Sequence, residues 1–540
     1  MKPRLAAPLS AWVIFPAIFA VLFLMHFTLL GLPYYWDEAG YYIPAAWDFF
    51  RTGTLIPITT LSNAHPPLPS IYLALWWKLF SYCPMVTRVA VLAAASLGLT
   101  AVWRLAMRLI GVASVGFWTV ALTALYPVWF AQSTLAHADI FAAACTLCGL
   151  VYALPARNRV LPRKPWAAAV WFALAALCKE TAILIPLVLA AVSLFESRRA
   201  PGMARIRLWR DAAWLSCCTL PLAAWYGYHR WKTGFLFGNP EFLRYNAQAN
   251  LEPLRILAAF GHRVLHLTAH MNLFVPVLMT VAALLLEVRS DRKQGIAYVD
   301  NSEMESAGQE RPGIAPAALR RIFLLLLANA LLFSVLGGAL LTRYLLPMHP
   351  LVLLVAVSSF YRRVPYWHSL AVFSAAAFVL GIFINPPYGF APEDNLTYAR
   401  AIRLHQAGIA ELNARYPGST VLSAWPVTDE LRRPELGYLK QPFPVVQIED
   451  FTADEIAHAA QEPEKFSAAL VFSTKADAPS LPMGLRLGLG SEEMDERYFG
   501  LHHDLAPEEI ARELGGTLVW KQEEHGQWIA LIRFNRQLAV

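Results

Sequence analysis

Long apolar runs recur along the first 385 residues of this chain, and short polar segments separate them. Several runs approach 20 residues, the length that an α-helix needs to cross a hydrocarbon core about 30 Å thick. The pattern therefore predicts an α-helical polytopic membrane protein with about eleven transmembrane helices. The predicted spans are residues 11–32, 86–104, 112–130, 138–155, 166–178, 181–195, 211–229, 267–287, 319–340, 344–360 and 367–385.

Two neighbouring spans, 166–178 and 181–195, are too short to cross a bilayer alone. The charged pair Lys179-Glu180 lies between them. Irregular backbone at membrane depth is tolerated only inside the protein or beside a cavity. The sequence therefore predicts a helical hairpin whose tip lies in such a place.

The pattern changes in residues 386–540, where short helical and short strand patterns alternate. This alternation is typical of a small α/β domain. We therefore predict two domains, a membrane domain over 1–385 and a soluble α/β domain over 386–540. The predicted elements of the second domain are helices at 398–416, 453–460 and 507–514 and strands at 420–423, 468–473 and 528–534.

Composition and charge agree with this division. The chain is 57% hydrophobic and only 15% charged, whereas a soluble protein carries about 25% charged residues. Residues 386–540 hold 14 basic and 23 acidic residues, and the rest holds 31 basic and 15 acidic ones. No basic patch is interleaved with aromatic residues in a soluble segment, so the composition gives no support for a nucleic-acid partner.

The positive charges also orient the predicted spans, because loops on the cytoplasmic side of a membrane are enriched in Lys and Arg. With the N-terminus inside, the basic connectors fall on the cytoplasmic side, and eleven spans leave the second domain outside. This predicts an integral protein of a bacterial inner membrane with that domain in the periplasm. The connector residues are Arg104, Arg108, Arg157, Arg159, Arg163, Lys164, Arg198, Arg199, Arg205, Arg207, Arg210, Arg289, Arg292, Lys293, Arg320, Arg321, Arg362 and Arg363.

The candidate chemistry is a set of polar residues that this topology places at the outer membrane face. Charged groups at a membrane boundary are costly and usually functional. Carboxylates supply a general base, and Lys and Arg supply a site for an anion such as the phosphate of a lipid carrier. The set comprises Asp37, Glu38, His65, His137, Asp139, Lys179, Glu180, Arg343 and Tyr344.

Each of these residues also has a purely structural interpretation. Asp37 and Asp139 are placed where a helix N-cap would stand. Lys179 and Glu180 are suited to an internal ion pair at the hairpin tip. Arg343 is positioned to anchor a span end at the membrane interface, and His65 would then be an ordinary loop histidine.

Five short motifs resemble GT-C fold glycosyltransferases. They are WDEAGYY at 36–42, HPPL at 65–68, Asp139, KET at 179–181 and RYLLP at 343–347. The nearest groups are the dolichyl-phosphate-mannose–protein mannosyltransferases and the bacterial aminoarabinose transferases that modify lipid A. The resemblance covers about 385 residues and implies a GT-C-like membrane domain.

The resemblance implies an enzyme that moves a sugar from a polyprenyl-phosphate donor to an extracytoplasmic acceptor with inversion. The acceptor is a lipid, a glycan or a protein. Asp37 matches the catalytic carboxylate, Glu38 its adjacent partner and Asp139 the second acidic residue. Lys179 and Arg343 would stabilise the departing lipid phosphate, and His65, Glu180 and Tyr344 would complete the substrate site.

Three questions stay open at this point. Asp37 acts either directly as a base or through a divalent metal ion, which Asp37, Asp139 and His137 would hold. Gly40-Tyr41 and His65 stand where the aminoarabinose transferases have Arg-Tyr and Lys, so neither lipid A nor aminoarabinose is carried over. A transporter or flippase for a lipid-linked saccharide is the alternative, but it favours internal repeats and polar residues near the membrane midplane, and the chain has neither pattern.

Overall fold

The structure is a computed structural model that describes residues 11–157, 164–291, 309–475, 492–500 and 502–535. Predicted connector residues Arg159, Arg163, Arg292 and Lys293 lie outside the described residues. The first 17 α-helices are α1 Ala11–His26, α2 Ile43–Thr52, α3 Leu68–Phe80, α4 Pro84–Leu109, α5 Ala113–Leu125, α6 Pro127–Gln132, α7 Ala138–Ala153, α8 Pro165–Cys178, α9 Leu184–Ser197, α10 Gly202–Cys217, α11 Thr219–Thr233, α12 Pro240–Asn246, α13 Pro253–Thr268, α14 Phe274–Leu284, α15 Pro316–Val335, α16 His349–Arg363 and α17 Trp367–Phe383.

The remaining elements belong mostly to the C-terminal part. The helices are α18 Thr397–Arg415, α19 Val427–Arg432, α20 Ala453–Ala459, α21 Glu492–Phe499 and α22 Pro507–Glu513. The strands are β1 Ser290–Asp291, β2 Gln309–Glu310, β3 Val421–Ala424, β4 Val445–Ile448, β5 Ala468–Phe472, β6 Thr517–Glu524 and β7 Gln527–Arg533. Short irregular helices at Glu38–Tyr42, Glu180–Ile183, Thr342–Leu345 and Pro392–Asp394 carry much of the site.

The N-terminal part is helical and apolar, as predicted. Among the described residues, α4, α15 and the continuous helix Glu180–Ser197 are long and apolar enough to cross a membrane, and α13 and α14 form a fourth candidate that is bent by 100°. Five further apolar helices are shorter, at Val13–Leu29, Ala113–Leu125, Ala138–Ala153, Pro165–Cys178 and Trp367–Phe383. The number of eleven spans therefore stays a prediction.

The predicted break at Lys179-Glu180 is present, but the segment after it is longer than predicted, because Glu180–Ser197 is one continuous helix long enough to cross a membrane. Helix α8 packs mainly against α7 and hardly against α9. Helix α8 ends at Cys178, Lys179 has extended backbone, and a single tight turn over Glu180–Ile183 leads into α9. Small residues let the neighbouring helices approach closely, as is common in membranes. A Cβ atom on Gly149 of α7 would meet the Phe172 ring of α8 at 2.6 Å. This close packing holds α8 against α7, which carries Asp139.

The C-terminal domain contains a five-stranded mixed sheet with strand order β4-β3-β5-β7-β6. β3 is parallel to both β4 and β5, whereas β7 is antiparallel to β5 and β6. β3 and β5 are buried along their whole length, which agrees with the continuous apolar runs expected of central parallel strands. The connection that leaves β3 leads to β4 on one side of β3. The connection that leaves β4 then crosses to β5 on the other side of β3.

Residues 433–438 of the C-terminal domain form hydrogen bonds with the loop that follows the first apolar helix. Arg433 Nη2 donates to the Thr59 carbonyl at 2.8 Å, and Tyr438 Oη donates to the Tyr34 carbonyl at 3.0 Å. Tyr82 Oη donates to the Glu435 carbonyl at 2.6 Å. The start of α18 also packs into an apolar cluster with α6 and with Leu29 and Leu32, which follow α1. The two parts therefore share one wall around the site described next.

Candidate active site

A cavity of about 1700 Å³ lies between the apolar helices and the C-terminal domain. Both parts of the chain line it, and six of the nine predicted site residues reach it from distant positions in the sequence, whereas Glu38, His137 and Asp139 do not line it. The lining residues that bear on its chemistry are Asp37, Tyr42, His65, Lys179, Glu180, Arg343, Tyr344, Glu393, Asp394, Trp425, Ser473, Thr474 and Lys475.

Asp37 lies in the loop after the first apolar helix, and its carboxylate faces this cavity. It precedes the irregular helix Glu38–Tyr42, and its side chain keeps 34% of its surface exposed. Trp36, just before it, has a left-handed backbone with φ 47°. Such a conformation is unusual for a bulky residue and tends to mark functional positions.

Arg343 connects the acidic residues of the site. Its guanidinium is buried and forms an ion pair with Asp37 through Nη2. Nη1 lies 2.8 Å from Glu393 Oε1, and Nε lies 3.5 Å from Asp139 Oδ2. Burial alone would lower the pKa of Arg343, but the surrounding carboxylates, with Glu393 first, raise it well above its ordinary value. Arg343 is therefore a permanent cation that pairs with Asp37, approaches Asp139 and contacts Glu393.

Lys179 brings the second cation to the site. Its Nζ lies 2.6 Å from Asp139 Oδ1 and 4.0 Å from the centroid of the Tyr344 ring. Asp139 thus holds Lys179 with one oxygen and approaches Arg343 with the other. The internal pair with Glu180 does not form; Glu180 instead contacts His65 Nδ1 at 3.1 Å.

Glu38 does not line the cavity, although it is adjacent to Asp37. Its Oε1 accepts hydrogen bonds from Arg88 Nη1 at 2.5 Å and from the Ala136 amide at 2.6 Å. Its Oε2 accepts one from the Tyr35 amide at 2.9 Å. The side chain is fully buried, so the geometry assigns Glu38 to holding the loop and gives it no contact with the cavity.

His137 is also withdrawn from the cavity. It is fully buried, lies 2.9 Å from Gln132 Oε1 through Nδ1, and packs against the Arg343 guanidinium. Burial first, and then the charge of Arg343, hold the pKa of His137 well below its usual value. The imidazole is therefore neutral and serves as a wall behind Arg343.

Glu393 and Asp394 are site residues that the sequence analysis missed. Glu393 faces the cavity and pairs with Arg343, and Asp394 Oδ2 contacts His270 Nε2 at 2.8 Å and accepts from Thr342 Oγ1 at 3.0 Å. The signal was present, because this acidic pair follows the last predicted span just as Asp37-Glu38 follows the first.

The protonation of Glu393 is unusual for a carboxylate. Its pKa is raised to about 8. Desolvation by burial is the main cause, and the nearby carboxylates of Asp37 and Asp394 add to it, so that together they outweigh the attraction of Arg343. Near neutral pH, Glu393 is therefore able to hold a proton beside the cavity.

The residues expected to hold a metal ion do not fit one in this arrangement. Asp37, Asp139 and His137 all contact the Arg343 guanidinium. A cation in the middle of a ligand set repels a second cation. Among the residues that the structure describes, no group of three His, Cys, Asp or Glu side chains is arranged to hold a metal ion.

Comparison with known proteins supports the predicted fold. Residues 64–225 match the family model described as dolichyl-phosphate-mannose-protein mannosyltransferase. The structure is similar to ArnT from Cupriavidus metallidurans in the apo state, with 15% identity, a TM-score of 0.52 and coverage of 97% of this chain and 98% of that chain. The same protein bound to undecaprenyl phosphate gives 15% identity, a TM-score of 0.50 and the same coverage. No curated protein sequence matches the chain.

Proposed function

We propose that this chain, a GT-C fold protein of the ArnT and protein mannosyltransferase type, is a membrane glycosyltransferase that uses a polyprenyl-phosphate sugar. The acceptor lies outside the cytoplasm, and the sugar is transferred with inversion. The observation that carries the proposal is one charged network in which Asp37, Arg343 and Lys179 line a large cavity and Asp139 contacts both cations.

The reaction is a single displacement. The acceptor oxygen attacks the anomeric carbon, and the acceptor proton passes to the Asp37 carboxylate. The bond from the anomeric carbon to the phosphate oxygen breaks, and the lipid phosphate leaves with the electron pair. Asp37 suits the role of base because it combines cavity access with an exposed edge.

Arg343 and Lys179 stabilise the charge that develops on the leaving phosphate. The Arg343 guanidinium pairs with carboxylates, with Asp37 among them. A donor phosphate competes for the same guanidinium and frees Asp37 to accept a proton. Donor binding and activation of the base are therefore coupled through Arg343, while Asp139 keeps both cations in place.

The proposed location is a bacterial inner membrane with the site on the periplasmic face. The supporting observation is charge placement at the opposite helix ends. Glu196, near the end of α9, binds Arg321 Nη2 at 2.7 Å and also pairs with Arg320 at the start of α15. Arg362 and Arg363 end α16. Basic helix ends of this kind favour the cytoplasmic side.

The function is tested with purified protein in lipid nanodiscs and with cells lacking the gene. Mass spectrometry of envelope glycans, glycolipids and glycoproteins identifies the product that disappears without the gene. We expect Asp37→Asn to abolish its formation at unchanged protein abundance. Asp454→Asn, which alters an exposed carboxylate of α20, serves as the control and is expected to be fully active. Full activity of the Asp37 variant would remove the proposed base.

A further inference from the structure

The C-terminal domain places its own ligand-binding edge at the catalytic carboxylate. In open α/β sheets, ligands bind outside the carboxyl ends of the strands, where successive connections leave a strand in opposite directions. Here that point lies between β3 and β5, because β4 pairs on the far side of β3. The residues that follow these strands, Trp425 after β3 and residues 473–475 after β5, line the same cavity as Asp37.

The Trp425 ring packs against the loop that carries Asp37, at Gly40, where there is no side chain to block it. A Cβ atom on Gly40 would meet the Trp425 ring at 2.8 Å. The same indole packs edge to face against Trp36, with ring centroids 5.0 Å apart. Gly40 is also the position at which the chain departs from the Arg-Tyr pair of the aminoarabinose transferases. The departure therefore admits an aromatic side chain from the other domain next to Asp37.

Both aromatic residues are fixed in place. Only Pro426 separates Trp425 from α19, and the Trp425 ring packs against Gly40 and Trp36. Glu430 of α19 is buried and contacts His405 Nδ1 of α18 at 3.0 Å. An ordered aromatic group costs little conformational entropy on binding, so it is a suitable recognition surface.

Polar groups of the C-terminal domain line the same cavity as Trp425. Thr474 Oγ1 donates to Asp504 Oδ2 at 2.5 Å, and Lys475 Nζ donates to the His502 carbonyl at 3.3 Å. A cavity lined by an aromatic ring and by hydroxyl, carboxylate and ammonium groups suits a ligand with apolar C–H faces and many hydroxyl groups. A pyranose ring has this chemistry, whereas an unmodified peptide does not.

We propose that the crevice between the ends of β3 and β5 binds a sugar ring of the acceptor, with Trp425 as the stacking surface. The inference rests on the proposed function and narrows its acceptor to a saccharide, carried by a glycan or a glycolipid. Trp425 sets acceptor specificity, and Gly40 is the residue that makes room for it. The donor phosphate is bound elsewhere, at Lys179 and Arg343.

The test uses the full chain in nanodiscs and saturation-transfer NMR. The probes are methyl glycosides of common hexopyranoses and a Ser/Thr-rich peptide. Undecaprenyl phosphate binding is measured in parallel as a readout of fold and of the proposed function. The variants are Trp425→Ala, which removes the surface, Gly40→Ala, which displaces it, and Trp231→Ala, which removes an indole that is 75% exposed and outside the cavity lining.

We expect wild type and Trp231→Ala to bind at least one glycoside, with about tenfold weaker binding in Trp425→Ala and Gly40→Ala, the size of a lost stacking contact. Undecaprenyl phosphate binding should be equal in all four proteins. Equal glycoside binding in Trp425→Ala and wild type, binding of the peptide alone, or no glycoside binding by protein that binds undecaprenyl phosphate would overturn the inference. Absence of undecaprenyl phosphate binding in wild type would instead count against the proposed function.

Discussion

Replacing Glu38 by Gln should destabilise the protein, in contrast to the same change at Asp37. All three groups that contact the Glu38 carboxylate are donors, namely Arg88 Nη1 and the amides of Tyr35 and Ala136. A Gln side chain must turn its own NH2 group toward one of them. Arg88 is 1% exposed, so its charge would be left buried and without a carboxylate partner.

The expected cost follows from that burial. Removing one partner of a buried ion pair lowers the free energy of unfolding by about 3–5 kcal/mol. Arg88 also donates to the carbonyls of Pro33 and Thr134 at 2.6 and 2.7 Å, so Arg88→Met is destabilising as well. Because both changes disrupt one network, the double variant should cost less than the sum, with a coupling of about 1–3 kcal/mol.

The assay is denaturant unfolding in lipid nanodiscs for wild type, Glu38→Gln, Arg88→Met and the double variant. Sugar transfer is measured per folded molecule. Glu38→Gln should show reduced stability, and Asp37→Asn should show near-normal stability with no transfer. Unchanged stability of Glu38→Gln together with abolished transfer would refute the structural assignment and return Glu38 to the catalytic set.

Three further predictions concern the rest of the site and its support. Lys179→Ala should weaken undecaprenyl phosphate binding by tenfold or more, as expected for a charge-assisted contact; unchanged donor affinity in a titration would exclude a phosphate role. The pKa of Glu393 is raised from 4.5 to about 8 in the folded protein. The free energy of unfolding of the protein should therefore fall as the pH rises from 4.5 to about 8, by up to about 1.4 kcal/mol per pH unit. Glu393→Gln should flatten this dependence in melts at pH 5 to 9, and an unchanged slope would contradict the shift. Gly149→Val should lower the free energy of unfolding by a few kcal/mol, roughly the cost of overpacking, because its Cβ would meet Phe172 at 2.6 Å. The control Gly31→Ala, with nothing within 4 Å of its Cβ, should be neutral. Equal melting temperatures of the two variants would show that the helices move apart to accommodate the added side chain.

Much of the architecture was accessible from the sequence because it depends on local pattern. Apolar runs predicted a helical membrane part, and the charged break predicted at Lys179-Glu180 is where α8 ends and the helix Glu180–Ser197 begins. In the C-terminal domain, the predicted helix at 398–416 and strand at 468–473 correspond to α18 and β5. Burial in lipid or in a sheet imposes a periodicity that a single sequence displays.

The partners of the charged residues were not accessible in this way. The sequence suggested an internal Lys179–Glu180 pair as the structural alternative, but Lys179 binds Asp139 and Glu180 contacts His65. Such pairs join positions far apart in the chain, and no periodicity encodes them. Glu393 was overlooked for the same reason, because only the packing of α6 against the Pro392–Asp394 turn brings it to Arg343.

The sequence by itself determined that two adjacent carboxylates, Asp37 and Glu38, closely follow the first apolar run. Only the tertiary structure decided which of them faces the cavity. Successive residues in a helical turn point about 100° apart, so one carboxylate meets the cavity and the other meets Arg88. The tertiary structure also decided what fills the space above Gly40, because Trp425 comes from a distant part of the chain whose position depends on long-range hydrogen bonds and packing.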